Sequence, residues 1–215
     1  MTTTEPRHPV HHQEAFARLR AGNARFIDDV KSDDAPASQR RRDALVEGQA
    51  PFAIVLSCSD SRVPSELVFD CGLGDLFVVR VAGNIVAPSI VGSIEFAAAT
   101  FGTELVVVMG HTRCGAIAST IDALSGGDHH PSANVRDIVD RIAPSIAELV
   151  REHAPGDSLN HAATRANVRA SANHLRHGSR ILESRIVERR LVVVGAEYDL
   201  ETGQVHFFDV PPALG

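Results

Sequence analysis

The chain has 215 residues, 44% of them apolar, with 21 basic and 27 acidic side chains. This length predicts one domain with a sizeable core, and the net charge of −6 excludes general nucleic-acid affinity. No apolar run approaches the ~20 residues that a membrane span requires. Three cysteines, an odd number, argue against a disulfide framework, and residues 1–10 lack an apolar signal core, so we predict a cytoplasmic protein.

The first forty-eight residues are predicted to precede the core rather than to begin it. Met1–Val10 is expected to be an arm that is disordered or lies against a partner. Helical periodicity over His12–Ile27 and Arg40–Glu47 predicts two helices. We therefore divide the chain into residues 1–48, an N-terminal arm with helices that pack on the core or on a partner subunit, and residues 49–215, the domain that carries the chemistry.

Three continuous apolar runs predict strands of a sheet that is covered on both faces. They are Pro51–Ser57, Leu76–Val81 and Glu104–Met109. Two further strands, Leu191–Ala196 and Val205–Val210, are joined by a turn at Thr202-Gly203 and are expected to form a hairpin at the sheet edge.

Helices are predicted between these strands. Their expected ranges are Pro64–Phe69, Ser89–Phe101, Cys114–Leu124, Ala133–Val150 with a kink or break at Pro144, Asn160–His177 and Arg180–Arg189. Ser89–Phe101 is apolar nearly all round, which predicts burial against the sheet or another subunit. The fold class is α/β: a mostly parallel four-stranded sheet with an extra edge strand, helices on both faces and an N-terminal helical extension.

Two strand-turn motifs carry metal-ligand side chains. Cys58 follows the first apolar run, and His111 and Cys114 follow the third in a turn. Because the carboxyl ends of parallel strands meet at one edge of a sheet, these side chains are expected to converge. Two thiolates and an imidazole select zinc over magnesium or calcium. A buried, purely structural cysteine is the competing interpretation for each thiol; Cys71, which has no partner at ligand spacing, is interpreted in that way.

Asp60 and Arg62 distinguish a catalytic zinc from a structural one. Two residues apart in an extended turn, their side chains can form a bidentate pair. If Asp60 becomes the fourth ligand, the metal is closed; if Arg62 holds Asp60 away, water can reach it. The competing interpretation is a surface ion pair of little energetic value.

The sequence Cys58-Ser59-Asp60-Ser61-Arg62, followed by His111-x-x-Cys114-Gly115, resembles the β-class carbonic anhydrases of the plant-like branch, here as a bacterial member. The resemblance extends from Gln49 through Gly110 and over residues 193–203. It implies a lyase (carbonate dehydratase) that interconverts CO2 and bicarbonate by zinc-bound hydroxide, with one Zn2+ per chain. Cys58, His111 and Cys114 are the implied ligands, Asp60 an alternative fourth one, and Asp60 with Arg62 the catalytic, gating dyad.

The same resemblance implies a substrate pocket and an assembly. Gln49, Phe77, Phe96 and Gly115 match the substrate-binding positions, with Phe96 standing where plant members carry a tyrosine. The family also implies a homodimer, which can pair into a homotetramer, with pocket residues contributed across the dimer interface. No nucleic-acid or membrane partner is expected.

Three alternatives remain open at this point. The chain could be a member of the same family that hydrolyses carbon disulfide or carbonyl sulfide instead of hydrating CO2, because the metal chemistry is shared. Cys114 could be a nucleophile with His111 as its base. The zinc could also be structural in a binding module. The histidine pairs His11-His12 and His129-His130 are interpreted as solvated surface residues.

Overall fold

The computed structural model describes residues 9–30, 37–127 and 132–214. His129 and His130, and most of the predicted N-terminal arm, lie outside these ranges. The elements are α1 His12–Ile27, α2 Gln39–Ala44, β1 Ala53–Ser57, α3 Ser65–Val68, β2 Leu76–Arg80, α4 Pro88–Phe101, β3 Leu105–His111, α5 Gly115–Leu124, α6 Ala133–Glu152, α7 Asp157–His177, α8 Arg180–Val187, β4 Val192–Tyr198 and β5 Val205–Asp209.

The five strands form one sheet in the order β2-β1-β3-β4-β5. The first four are parallel, and β5 pairs antiparallel with β4. The hairpin turn is held by Asp199, whose carboxylate accepts from the backbone N–H groups of Glu201 and Thr202. The predicted fold class, with four parallel strands and an antiparallel edge strand, is confirmed.

Alternate residues of the buried strands belong to two separate hydrophobic cores, one on each face of the sheet. One face of the sheet, with Val55, Val107 and Val194, packs with α1 and Phe69. The other face, with Leu56 and further alternate strand residues, packs with α4, α7 and α8. Because β1, β3 and β4 are buried at every position, their sequences are continuous apolar runs rather than alternating ones.

The helix α1 covers the sheet through a narrow apolar stripe. Ala15 and Leu19 are fully buried in the same core as β1 and β3. Asn23 anchors its second half, donating to the carbonyls of Val68 and Gly203 and accepting from the backbone N–H of Val205. The N-terminal segment thus completes the core of its own chain.

Several predicted boundaries differ from the structure. His111 is the last residue of β3 rather than part of a turn, and the following helix begins at Gly115, after Cys114. Pro64 is the N-cap of α3, not its first residue. A break at Pro144 was a wrong prediction, since α6 runs through it.

One surface prediction also needs correction. His12 is only 5% exposed, so the His11-His12 pair is not wholly solvated. In α4, Ile94, Ala97 and Ala98 are buried against the sheet, but Phe96 is 54% exposed. Within the described residues, no helix combines the length and apolarity needed to cross a membrane.

Candidate metal centre

Cys58, His111 and Cys114 come together at the carboxyl end of the parallel sheet. Cys58 directly follows β1, His111 ends β3, and Cys114 caps the amino end of α5. The adjacent strands β1 and β3 place Ser57 opposite Met109, which puts both turns at the same sheet edge. The three ligand atoms lie within 4.8 Å of one another, and all three residues are buried.

The two ring nitrogens of His111 have different surroundings. Nδ1 lies 2.9 Å from the carbonyl oxygen of Thr112, which assigns the proton to Nδ1. Nε2 is buried and has no hydrogen-bond partner among the described residues. A buried ring nitrogen with a lone pair and no donor is costly, and a carbonyl behind the opposite nitrogen is the usual way of orienting a metal-binding histidine.

The two thiols influence each other strongly. The pKa of the Cys58 thiol is lowered, chiefly by a hydrogen bond from Cys114. The pKa of Cys114 is raised by that same hydrogen bond and by burial. The sulfur of Cys58 also accepts a 3.3 Å hydrogen bond from the backbone N–H of Gly83. A dication between the two sulfurs would stabilise both of them as thiolates.

These residues fit a zinc ion. Two thiolates and one imidazole are a catalytic ligand set that leaves one tetrahedral position open. Calcium and magnesium require oxygen ligands that the three-residue cluster lacks. The orphaned Nε2 of His111 is a feature that a bound cation would resolve.

Asp60 lies beside the cluster but is held by Arg62. The guanidinium donates from Nε to Oδ1 at 2.9 Å and from Nη2 to Oδ2 at 2.7 Å, and the backbone N–H of Arg62 adds a third bond to Oδ1. These bonds are the main reason why the pKa of Asp60 lies well below its usual range. Oδ2 is 3.9 Å from Nε2 of His111, so an ionised carboxylate borders the metal position.

Arg80 positions this turn, a role that the sequence analysis did not assign. It ends β2 next to Ser57 of β1 and donates to the backbone carbonyls of Cys58 and Asp60 at 3.0 and 2.6 Å. The sequence signal for this role was a basic residue at the carboxyl end of a third parallel strand.

The predicted substrate-binding residues lie in different places. Gly115 begins α5 next to Cys114. Phe77 lies on β2 opposite Ile54. Ile54 precedes Cys58 by four residues, which is roughly 13 Å along the strand at ~3.3 Å per residue. Gln49 lies exposed in the segment before β1. Phe77 and the exposed Phe96 have ring centroids 6.3 Å apart. The single chain thus brings Gly115, but not Gln49 or Phe77, to the metal cluster.

Cys71 is separate from the cluster, as expected. Burial raises the pKa of its thiol to about 12, and its sulfur contacts the carbonyl oxygen of Phe69 at 3.3 Å. All three cysteines are free thiols.

Comparison with known proteins identifies a family whose matched region includes the metal cluster and the Asp60–Arg62 pair. The family model described as carbonic anhydrase matches residues 53–205, a range that includes every residue of the cluster and the dyad. The chain belongs to the carbonic anhydrases. It is 38% identical over 191 residues to a carbonic anhydrase of Mycolicibacterium smegmatis, covering 89% of this chain and 90% of the relative. It is 36% identical over 190 residues to carbonic anhydrase 2 of Mycobacterium tuberculosis, covering 88% and 89%.

Solved structures assign the β class. The chain is similar to tetrameric β-carbonic anhydrases from Sordaria macrospora, with a TM-score of 0.69 and 25% identity over 78% of this chain and 85% of that one. The β-carbonic anhydrase CcaA gives a TM-score of 0.72 at 24% identity, covering 90% and 95%, and so shares the fold. The resemblance found in the sequence is confirmed, and this protein is a carbonic anhydrase of the β class.

Proposed function

We propose that this carbonic anhydrase reversibly hydrates CO2 to bicarbonate and a proton, with one zinc ion held by Cys58, His111 and Cys114. The observation that carries the proposal is the buried Cys-His-Cys cluster with an Arg62-held carboxylate beside it. The family and its relatives support the reaction. When bound, zinc supplies a Lewis acid that makes hydroxide available near neutral pH.

Asp60 is the proposed hydrogen-bond acceptor for the water nucleophile. Because its pKa is lowered by the bonds from Arg62, the carboxylate is ionised at every working pH. Its Oδ2 can accept a hydrogen bond from the water and thereby direct an oxygen lone pair toward CO2. Orientation by a fixed acceptor lowers the barrier because the alignment is already made before reaction.

Arg62 is the proposed gate of the metal position. Its two-point contact uses both oxygens of Asp60, so the carboxylate is kept available for the nucleophile instead of becoming a fourth ligand. The gate is anchored across the site, since Nη2 of Arg62 also donates to the carbonyl of Arg113 at 3.4 Å. Asp60 as a metal ligand is then the closed, inactive arrangement.

The substrate pocket is proposed to be completed by a second copy of the chain. Gln49, Phe77 and Phe96 lie away from the metal cluster of their own chain, whereas Gly115 lies next to it. Phe96 leaves an aromatic surface exposed on α4, and the similar Sordaria enzymes are tetrameric. A homodimer, able to pair into a tetramer, would place apolar walls and a Gln49 amide donor around a small nonpolar substrate. In this assembly, residues 49–215 carry the catalytic domain and residues 1–48 the appended helices.

A cytoplasmic location is proposed on the basis of the cysteines. All three are free thiols, and the proposed zinc ligands must stay reduced to bind the metal, as they do in a reducing compartment.

Stopped-flow CO2 hydration at pH 7 and pH 8.5, with zinc measured on the same sample, tests the function. One zinc per chain and activity that rises with pH are expected. Full zinc without CO2 hydration at either pH would overturn the proposal; carbon disulfide and carbonyl sulfide are then the substrates to assay. Activity that survives zinc removal but not thiol alkylation would instead identify Cys114 as a nucleophile.

A further inference from the structure

A second cluster of metal-ligand side chains lies at the opposite end of the sheet. His11 is the N-cap of α1 and His12 its first residue, and Glu104 immediately precedes β3. One ligand atom from each residue lies within 4.8 Å of the other two. The zinc-ligand cluster sits where β3 ends, so the two groups occupy opposite ends of the same strand.

His12 has a buried nitrogen that the protein leaves unsatisfied. The residue is 5% exposed. Its backbone N–H donates to Oε2 of Glu104 at 3.3 Å, and its Nδ1 is 3.5 Å from the same oxygen. Nδ1 is buried without a hydrogen-bond partner among the described residues. Burial, followed by the nearby His11, lowers the pKa of His12, which favours the neutral imidazole that binds metals.

His11 supplies an exposed imidazole next to the buried one. The two ring centroids are 4.0 Å apart with planes tilted by 35°. Nδ1 of His11 accepts a long bond of 3.4 Å from the backbone N–H of Gln13, as the N-cap of α1. A neutral imidazole has one lone pair, so metal binding through Nδ1 would exchange this weak cap for coordination. Because the ring is exposed, it can turn without disturbing the core.

We propose that His11, His12 and Glu104 form a second metal site, for a divalent transition metal of the zinc, cobalt and nickel class. Two imidazoles and a carboxylate are an established ligand set for zinc, and imidazole selects this class over calcium and magnesium. A cation placed there would satisfy Nδ1 of His12 and neutralise Glu104 in one step. The site contains no thiolate, which separates it chemically from the Cys58-His111-Cys114 centre.

The cluster is close to coordinating geometry. Tetrahedral bonds of ~2.1 Å put ligand atoms about 3.4 Å apart, so the separations of up to 4.8 Å must shorten by at most roughly 1.4 Å. A turn of the exposed His11 ring provides that movement while His12 and Glu104 stay in place. A cleft of about 1010 Å³, lined by both histidines together with Arg176, Arg189 and Asp209 among others, gives the ion an entry path.

Binding there would fasten α1 to the sheet. His11 and His12 belong to the first turn of the helix, whereas Glu104 belongs to the segment that enters the buried strand β3. A metal held by both therefore adds a cross-link between elements far apart in sequence. Ligands that bind only the folded state raise its stability by mass action.

The test uses the zinc-loaded full-length protein and cobalt(II) as the probe. Cobalt is titrated into wild type, His11→Ser and Glu104→Gln, with His177→Ala as the matched control. Serine is a good N-cap, so His11→Ser keeps the helix start and removes the imidazole. His177 pairs with Glu183 at 4.0 Å on the surface, and therefore offers a histidine and a glutamate without the second imidazole.

We expect wild type and His177→Ala to bind one extra cobalt per chain without sulfur-to-cobalt charge-transfer absorption. His11→Ser and Glu104→Gln should bind it at least tenfold more weakly. Added cobalt should also raise the thermal midpoint of wild type but not of His11→Ser. Equal binding by all four proteins, or charge-transfer absorption from the extra cobalt, would overturn the proposal. If Glu104→Gln does not fold, His11→Ser decides alone, since its residue is exposed.

Discussion

Three residues of the candidate metal centre depend on neighbours that fix their chemical state. The carbonyl of Thr112 assigns the tautomer of His111, and the N–H of Gly83 supports the charge on Cys58. Arg62 keeps Asp60 ionised. A cysteine without such neighbours behaves differently: burial raises the pKa of Cys71 to about 12. The same residue type is therefore a candidate ligand in one place and a core side chain in another.

Exchange of a cysteine by serine should separate these two roles. Cys114→Ser removes a ligand, and we expect zinc below one per chain and a loss of CO2 hydration of at least ~100-fold, since even the residues that support metal ligands are worth 10–100-fold. Cys71→Ser is the matched control and should keep its zinc. Metal analysis and stopped-flow assays on both variants provide the measurement. Loss of zinc from Cys71→Ser alone would contradict the assignment.

Removal of the gate should change the titration of Asp60. In Arg62→Ala we expect the pKa of Asp60 to rise by ~1–3 units, as measured by carboxyl-carbon NMR, and hydration activity to fall while zinc is retained. Arg136→Ala is the control, because Arg136 contacts Asp140 in an exposed pair at 3.7 Å. An unchanged pKa of Asp60 would show that Arg62 does not hold it.

The same pair fixes the direction of a pH effect on stability. Because the pKa of Asp60 is lowered in the folded state, its contribution is present above the unfolded value of about 3.9 and is lost as pH falls through the lower folded value. The contribution is small, since the Arg62 side chain is 52% exposed and solvent screens the pair.

At the scale of elements, the metal centre is formed by strand ends and by the close packing behind them. Cys58 and Cys114 belong to a core of isoleucines from α5 and α6, including Ile117, Ile142 and Ile146. Gly83 packs against this core, and its backbone N–H donates to the sulfur of Cys58. It has a φ of 68°, which favours glycine, and a Cβ there would lie 2.8 Å from Cδ1 of Ile142 and 3.0 Å from Cβ of Ala116.

Gly83→Ala should consequently destabilise the fold by ~1–3 kcal/mol, from backbone strain and overpacking. Ile142→Val removes the methyl group nearest to the new Cβ and on its own should cost ~0.5–1.5 kcal/mol. The double variant is expected to be less destabilised than the sum of the single ones, as measured by urea unfolding of the three proteins. Strict additivity would mean that the contact with Ile142 does not limit position 83.

At the scale of the whole molecule, the outer face of α4 is the surface that we propose contacts a second copy of the chain. Its inner face packs on the sheet, whereas Phe96 remains 54% exposed beside Phe77 and Phe101. Exposed clusters of aromatic residues are typical of protein interfaces. Gln49 and Phe77 lie away from the metal cluster of their own chain. The proposed interface would therefore complete the substrate pocket.

Phe96→Glu should shift the protein from dimers or tetramers toward monomers in sedimentation velocity, because it places a charge in an apolar contact. CO2 hydration should fall at the same time, whereas zinc content is retained. Val187→Glu provides the control, since Val187 is 77% exposed on another helix. A Phe96→Glu protein that remains fully oligomeric would place the interface elsewhere.

The sequence by itself determined the order of helices and strands, the parallel sheet with its hairpin, and the convergence of Cys58, His111 and Cys114. These follow from local signals: continuous apolar runs, turn residues and ligand types at strand ends. Gly115 beside the metal also follows from chain order. The proposals for Gln49, Phe77 and Phe96 depend on a second copy, which no pattern within one chain can position.

Only the tertiary structure decided what depends on distant neighbours. Arg80 reaches the carbonyls of Cys58 and Asp60, and Gly83 donates to Cys58. His12, predicted to be solvated, is buried because α1 lies on the sheet and brings it to Glu104. Sequence patterns report the preferences of a residue and its near neighbours. Burial, tautomer and charge state are set by side chains that folding brings together from far along the chain.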